Sequence, residues 1–219
     1  MPLQNRVTPC GEIVAVAERG TMFGNRGLLH DAQRRIVRPF QVRRWLICLL
    51  EFKGRRRPIM RPGQYTELFF LDEATALAAG HRPCAECRRQ AYDHFRRCWA
   101  TAHSDPGSKL PAAGELDEAL HRDRLTAAKT KQTHRAEIAA LPDGVFLLHD
   151  GAAWLLWGAA MLHWTPGGYD RHVSRPKDGQ VAVLTPQATV RTMVAGYVPG
   201  IHPSLTSFAA IGQSGARQD

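Results

Sequence analysis

Two cysteines, Cys84 and Cys87, stand with two residues between them in the run Gly80-His81-Arg82-Pro83-Cys84-Ala85-Glu86-Cys87-Arg88-Arg89. A glycine and a proline lead into the pair, and a helix-prone, arginine-rich stretch leaves it. Two thiolates at this spacing on a tight turn grip one tetrahedral metal ion, with Zn–S bonds of about 2.3 Å. Arg82, Arg88, Arg89, Arg96 and Arg97 lie close to the turn. A metal knuckle that carries arginines points towards a phosphate-bearing partner.

Charge along the chain extends this reading. Its 219 residues hold 29 Lys and Arg against 20 Asp and Glu, a formal net charge of +9 that favours polyanions. Between Arg34 and Arg61 there are ten Lys or Arg residues and a single acid, Glu51. Arginine dominates this segment, which suits bidentate phosphate contacts. Arg55-Arg56-Arg57, beside Gly54 and Pro58, is expected on a loop or hairpin tip, so the expected nucleic-acid contacts are Arg55, Arg56, Arg57, Arg82, Arg88 and Arg89.

Five cysteines (Cys10, Cys48, Cys84, Cys87 and Cys98) form no regular disulfide framework, and no stretch reaches 18 continuous apolar residues. A reduced, cytoplasmic protein without a membrane span is expected, in which cysteines bind metal.

Periodicity places the elements. Arg44 to Phe52 alternates, with Leu46, Cys48, Leu50 and Phe52 on one face and Trp45, Ile47, Leu49 and Glu51 on the other, and is expected to be one strand. Glu12 to Ala17 and Tyr65 to Phe70 are expected to be extended, and Gly24-Asn25-Arg26-Gly27 a turn. Asp72 has the character of an N-cap for a short helix over 73–79 that Gly80 stops, and residues 88–102 are expected to form a longer helix. A Ser/Pro/Gly/Ala stretch over 103–113 reads as a loop, 115–126 as an amphipathic helix, and 127–136 as a polar, basic segment. From Leu141 onward, short apolar runs separated by Gly turns read as strands, with a last helix over 186–195. The expected fold is therefore α+β. A zinc-stapled module over 1–104 and a helical, basic linker over 105–136 precede a β-rich module over 137–204 and a flexible tail over 205–219.

The order of features over residues 65–97 resembles the second half of the zinc-binding domain of Ada, the DNA-alkylation repair protein. That pattern runs through an aromatic pair, a short Ala-rich helix, Ala-Gly, an aromatic residue, then Arg-Pro-Cys-x-x-Cys-Arg and a helix. It is matched by Phe69-Phe70, residues 72–79, Gly80, His81 and Arg82-Pro83-Cys84-Ala85-Glu86-Cys87-Arg88. The resemblance implies zinc held by Cys84 and Cys87 and a DNA partner. In the Ada family two further ligands, often a close cysteine pair, come from an earlier strand-turn, and one zinc-bound cysteine accepts a methyl group from a DNA phosphotriester. Upstream of Cys84 this chain has only Cys48 and Cys10. Cys48, on the strand before the helix, is the expected third ligand; the fourth stays open among His30, His81 and Cys10, with His30 the leading choice. Cys98 lies eleven residues beyond Cys87, about 16 Å along a helix axis, too far to share one ion.

Hydrolase, metalloprotease, phosphate-loop and dinucleotide motifs are absent, and no His-x-Glu stands upstream to make a deaminase of Pro83-Cys84-x-x-Cys87. A zinc-binding protein that contacts DNA is the leading expectation. A metal-dependent nuclease or repair-type enzyme using Trp154, Trp157, His149-Asp150, His163 or His172 is the alternative, and a zinc-stapled interaction protein the third.

Overall fold

The computed structural model describes residues 1–54 and 58–206. The expected arginine contacts Arg55, Arg56 and Arg57, and all but the first two residues of the expected tail, lie outside the described residues.

The chain is α+β, built on two six-stranded sheets. The first combines β1 (Gln4–Val7), β2 (Ile13–Ala15), β3 (Met22–Asn25), β4 (Leu46–Cys48), β5 (Leu68–Phe70) and β6 (Arg82–Pro83) in the order β2-β1-β5-β3-β4-β6. Between β5 and β6 lies α1 (Glu73–Ala78); α2 (Arg89–His103) and α3 (Ala113–Arg124) follow. The second sheet contains β7 (His134–Glu137), β8 (Phe146–His149), β9 (Ala152–Trp157), β10 (Ala160–Thr165), β11 (Gly168–Ser174) and β12 (Gln180–Val183), in the order β11-β10-β9-β8-β12-β7, and α4 (Gln187–Val194) follows it. Its neighbours are all antiparallel, as short hairpin-linked strands allow.

Helix α1 sits between the sheets and is buried along its whole length. Ala76 and Leu77 join a cluster with Val7, Ile47, Phe70 and Phe95, while Ala74 and Ala78 join another with Phe146, Leu155, Leu162 and Tyr169. A helix packed on all sides needs small residues, which is why its sequence is alanine-rich. Asp72 caps it by accepting from the Thr75 amide at 2.8 Å, and Gly80, at φ +89°, ends it where a Cβ would meet the Arg124 side chain at 2.6 Å. Residues 105–136, read from composition as a linker, contain α3, whose Leu116 and Leu120 are fully buried in the first cluster.

Two expected elements take another form. The strand over 44–52 is only β4, because β3 pairs with residues 46–48 alone and its other neighbour, β6, is two residues long. Trp45 and Ile47 are buried, whereas Leu49 and Leu50 turn outward at 40% and 51% exposure. Gly24 and Asn25 of the expected Gly24 to Gly27 turn are instead the end of β3, with the chain bending after them at Gly27, and a Cβ on Gly24 would meet the Leu46 carbonyl oxygen at 2.1 Å. Arg26 is buried, with its guanidinium 4.0 Å from the Trp45 ring centroid. It is unavailable to a solvent anion.

Candidate metal centre

Strands β4 and β6 run parallel, pairing Leu46 with Arg82 and Ile47 with Pro83. One step further the Cys84 amide donates to the Ile47 carbonyl at 2.9 Å, which sets Cys84 beside Cys48. The chain then turns back on itself, the Arg88 amide reaching the Cys84 carbonyl at 3.1 Å, and this brings Cys87 round to the same point. The three Sγ atoms of Cys48, Cys84 and Cys87 lie within 4.8 Å of one another and could hold a metal ion.

The backbone favours thiolates here. The Glu86 amide donates to the Cys84 Sγ at 3.4 Å, and the Leu49 amide to the Cys87 sulfur. A hydrogen bond from Cys48, helped by the amides of Cys87 and Glu86 against the cost of burial, pulls the Cys84 thiol down to about 5. Cys87 is lowered by the same Cys48 hydrogen bond and by the Leu49 amide. Cys48, donating to both sulfurs and then penalised by burial, holds its proton far more tightly than a free thiol. Close thiolates repel, and a divalent cation among them removes the conflict. An all-sulfur donor set suits zinc or another thiophilic metal.

His30 is held elsewhere. Its Nδ1 bonds Thr66 Oγ1 at 2.6 Å and its Nε2 the Arg61 carbonyl at 3.3 Å, so both ring nitrogens are taken up by the segment over residues 61–66. The expectation of His30 as a ligand is corrected accordingly. His81 is a core residue packed on Trp45 and Phe70, and it accepts from Arg26 Nε at 3.2 Å. Burial, then the nearby Arg26 and Arg124, keeps it neutral. Cys10 packs near the end of α1, where burial raises its thiol, and Cys98 sits on α2, 3.7 Å from His94 Nδ1.

The arginines around the turn divide. Arg82 is buried, its Nε and Nη2 each 2.8 Å from the Asp117 carboxylate. Arg88 is bound through both terminal nitrogens to Glu73. Both were expected at a nucleic-acid face; both are structural ion pairs instead, because the fold supplies each with a carboxylate. Arg89 is exposed, pairs with Asp93 at 3.3 Å and donates to the Ala85 carbonyl at 3.4 Å. Sequence reading missed Asp117 and Glu73 as partners. The one local signal was the polar Asp72-Glu73 start of an otherwise apolar helix.

The sulfurs also line a cavity of about 740 Å³, with Phe23, Leu50, Ile59, Tyr65 and Phe69 among its walls. The later tryptophans and histidines lie on the second sheet. There His163 Nδ1 meets Asp170 at 2.7 Å, beside Trp154 at a ring separation of 5.1 Å. Among the described residues they form no metal-binding group with the cysteines. No described helix is long and apolar enough to cross a membrane.

The chain matches no family model, no curated protein and no solved structure.

Proposed function

We propose that the chain is a zinc-binding protein, with an Ada-like module at its metal turn, that meets nucleic acid through the exposed cations of residues 34–61. The observation that carries the metal reading is the convergence of Cys48, Cys84 and Cys87 from positions 36 and 3 residues apart. A chain has little reason to bring three sulfurs from separate elements together, and to aim amides at two of them, unless an ion offsets their repulsion. Zinc supplies that charge and ties β4 to the turn after β6.

The nucleic-acid reading rests on charge. Arg34, Arg38, Arg44, Lys53 and Arg61 are exposed and carry no ion pair among the described residues. They stand on both chain segments flanking β4 and belong to a protein of net charge +9.

Elemental analysis tests the metal: about one zinc per chain is expected in native protein, lost in Cys84→Ser and in Cys48→Ser. Metal-free native protein with an unchanged melting temperature in chelator would sink this reading. For nucleic acid, log affinity for duplex DNA should fall linearly with log salt, and Arg38→Ala with Arg44→Ala should shallow the slope by about two. An affinity indifferent to salt removes DNA from the proposal and leaves the metal.

A further inference from the structure

Three sulfurs leave a tetrahedral ion one ligand short. Among the described residues no other histidine, cysteine or carboxylate joins Cys48, Cys84 and Cys87. The remaining positions, 55–57 and 207–219, contain no Cys, His or Glu and only one acid, Asp219. Structural zinc sites are closed by four protein ligands, whereas sites that accept a substrate keep one position open.

The open side faces a built space. Amides of Glu86 and Leu49 donate to the sulfurs of Cys84 and Cys87, and all three cysteines line the cavity of about 740 Å³. That volume falls in the range of about 300–1,000 Å³ that small-molecule sites occupy. Its walls include Phe23, Tyr65 and Phe69, with ring centroids 6.2 and 6.0 Å from Phe23, and Leu50 and Ile59 stand half-open at the rim.

We infer that a small thiol with an apolar or aromatic body binds in this cavity and completes the site, its sulfur in the fourth position. This rests on the metal reading above. A sulfur donor matches the softness of a centre already held by three thiolates. The aromatic and aliphatic part of the wall rewards an apolar body, while Glu51, Glu67 and Glu86, which line the same cavity, disfavour an anionic one. The thiol enters neutral; its S–H bond breaks, the proton passes to solvent and the electron pair forms the bond to the metal, so atoms and charge balance.

Cobalt(II)-loaded protein titrated with benzyl mercaptan tests this, with benzyl alcohol as the isostere that lacks the sulfur and Cys84→Ser as the background. Benzyl mercaptan should raise the thiolate-to-cobalt absorption saturably, by about a third as three sulfurs become four, with the alcohol silent. Leu50→Trp, which narrows the mouth, should weaken the thiol about tenfold or more and leave the thiol-free cobalt spectrum unchanged. An unresponsive spectrum, an equal response to the alcohol, or extraction of the cobalt by the thiol overturns the inference while the metal reading stands. No charge-transfer band on adding cobalt overturns both.

Discussion

Arg88, the residue after Cys87, presents its two terminal guanidinium nitrogens to the two carboxylate oxygens of Glu73 at 2.7 and 2.9 Å. The same carboxylate accepts from the Tyr197 hydroxyl at 2.6 Å and the Gly200 amide at 3.0 Å. Its neighbour Asp72 accepts from the Tyr169 hydroxyl at 2.6 Å and the His202 amide at 3.0 Å. The start of α1 is thus one anchor shared by the metal turn, the second sheet and the chain after α4.

Breaking this anchor on one side should be costly. Glu73 and Arg88 keep side-chain exposures of only 4% and 10%, so neither charge has water to fall back on. Glu73→Gln or Arg88→Met should each lose about 3–5 kcal/mol of stability. In urea unfolding the double variant should lose far less than the sum of the two. Additive losses would show that the pair is not coupled.

The histidine expected as a ligand and the cysteine that sits in the group should separate cleanly. His30→Gln should keep its zinc and cost about 1–3 kcal/mol by disturbing the bond to Thr66. Cys48→Ser should lose at least about tenfold in zinc affinity, measured by competition with a chromophoric chelator. Cys98→Ser, distant on α2, should change neither metal content nor affinity. A loss of zinc in His30→Gln would contradict the geometry.

Gly80 marks the close approach of α1's end to Arg124. Its φ of +89° and a Cβ position 2.6 Å from the Arg124 Cδ leave no room for a side chain. Gly80→Ala should destabilise by about 2 kcal/mol or more through backbone strain and the displaced guanidinium, which donates to the Gly80 carbonyl at 2.9 Å. Thermal melting of the variant reads this directly. An unchanged melting temperature would mean that the helix end can relax.

Lys131 gives a pH dependence with a definite sign. Its stem is half-buried while its ammonium is enclosed at the end of α1, bonded to the Ala78 carbonyl. Burial, reinforced by Arg26 and opposed by Cys10, pushes it down to about 7 from an ordinary 10.5. The unfolded chain therefore binds more protons between these values, and stability contributed by this residue rises with pH from about 7 towards 10.5. The slope stays below about 1.4 kcal/mol per pH unit. Urea unfolding at pH 7, 8 and 9 should show the rise in the native protein and a flatter profile in Lys131→Met. Equal slopes would place the titration elsewhere.

What could be read from sequence was local. Cys84 and Cys87 are three residues apart, so the turn that joins them needs little beyond Pro83 and the helix that follows. Asp72 caps α1 through an amide three residues on, and Gly80 stops it through its own φ. The α+β class followed from the change in periodicity after Leu141. Each signal lies within one turn or strand, where covalent geometry and steric exclusion act directly.

Tertiary structure alone decided the rest. Cys48 joined the pair because β4 and β6 align in parallel across 36 residues, a register that no local pattern encodes. His30 left the site because Thr66 and the Arg61 carbonyl took both its nitrogens. Arg82 and Arg88 were drawn inward because Asp117 and Glu73, 35 and 15 residues distant, offered carboxylates in a space closed to water. An arginine reads the same in sequence whether it faces phosphate or a buried acid. Only the packing of separate elements determines which partner is within reach.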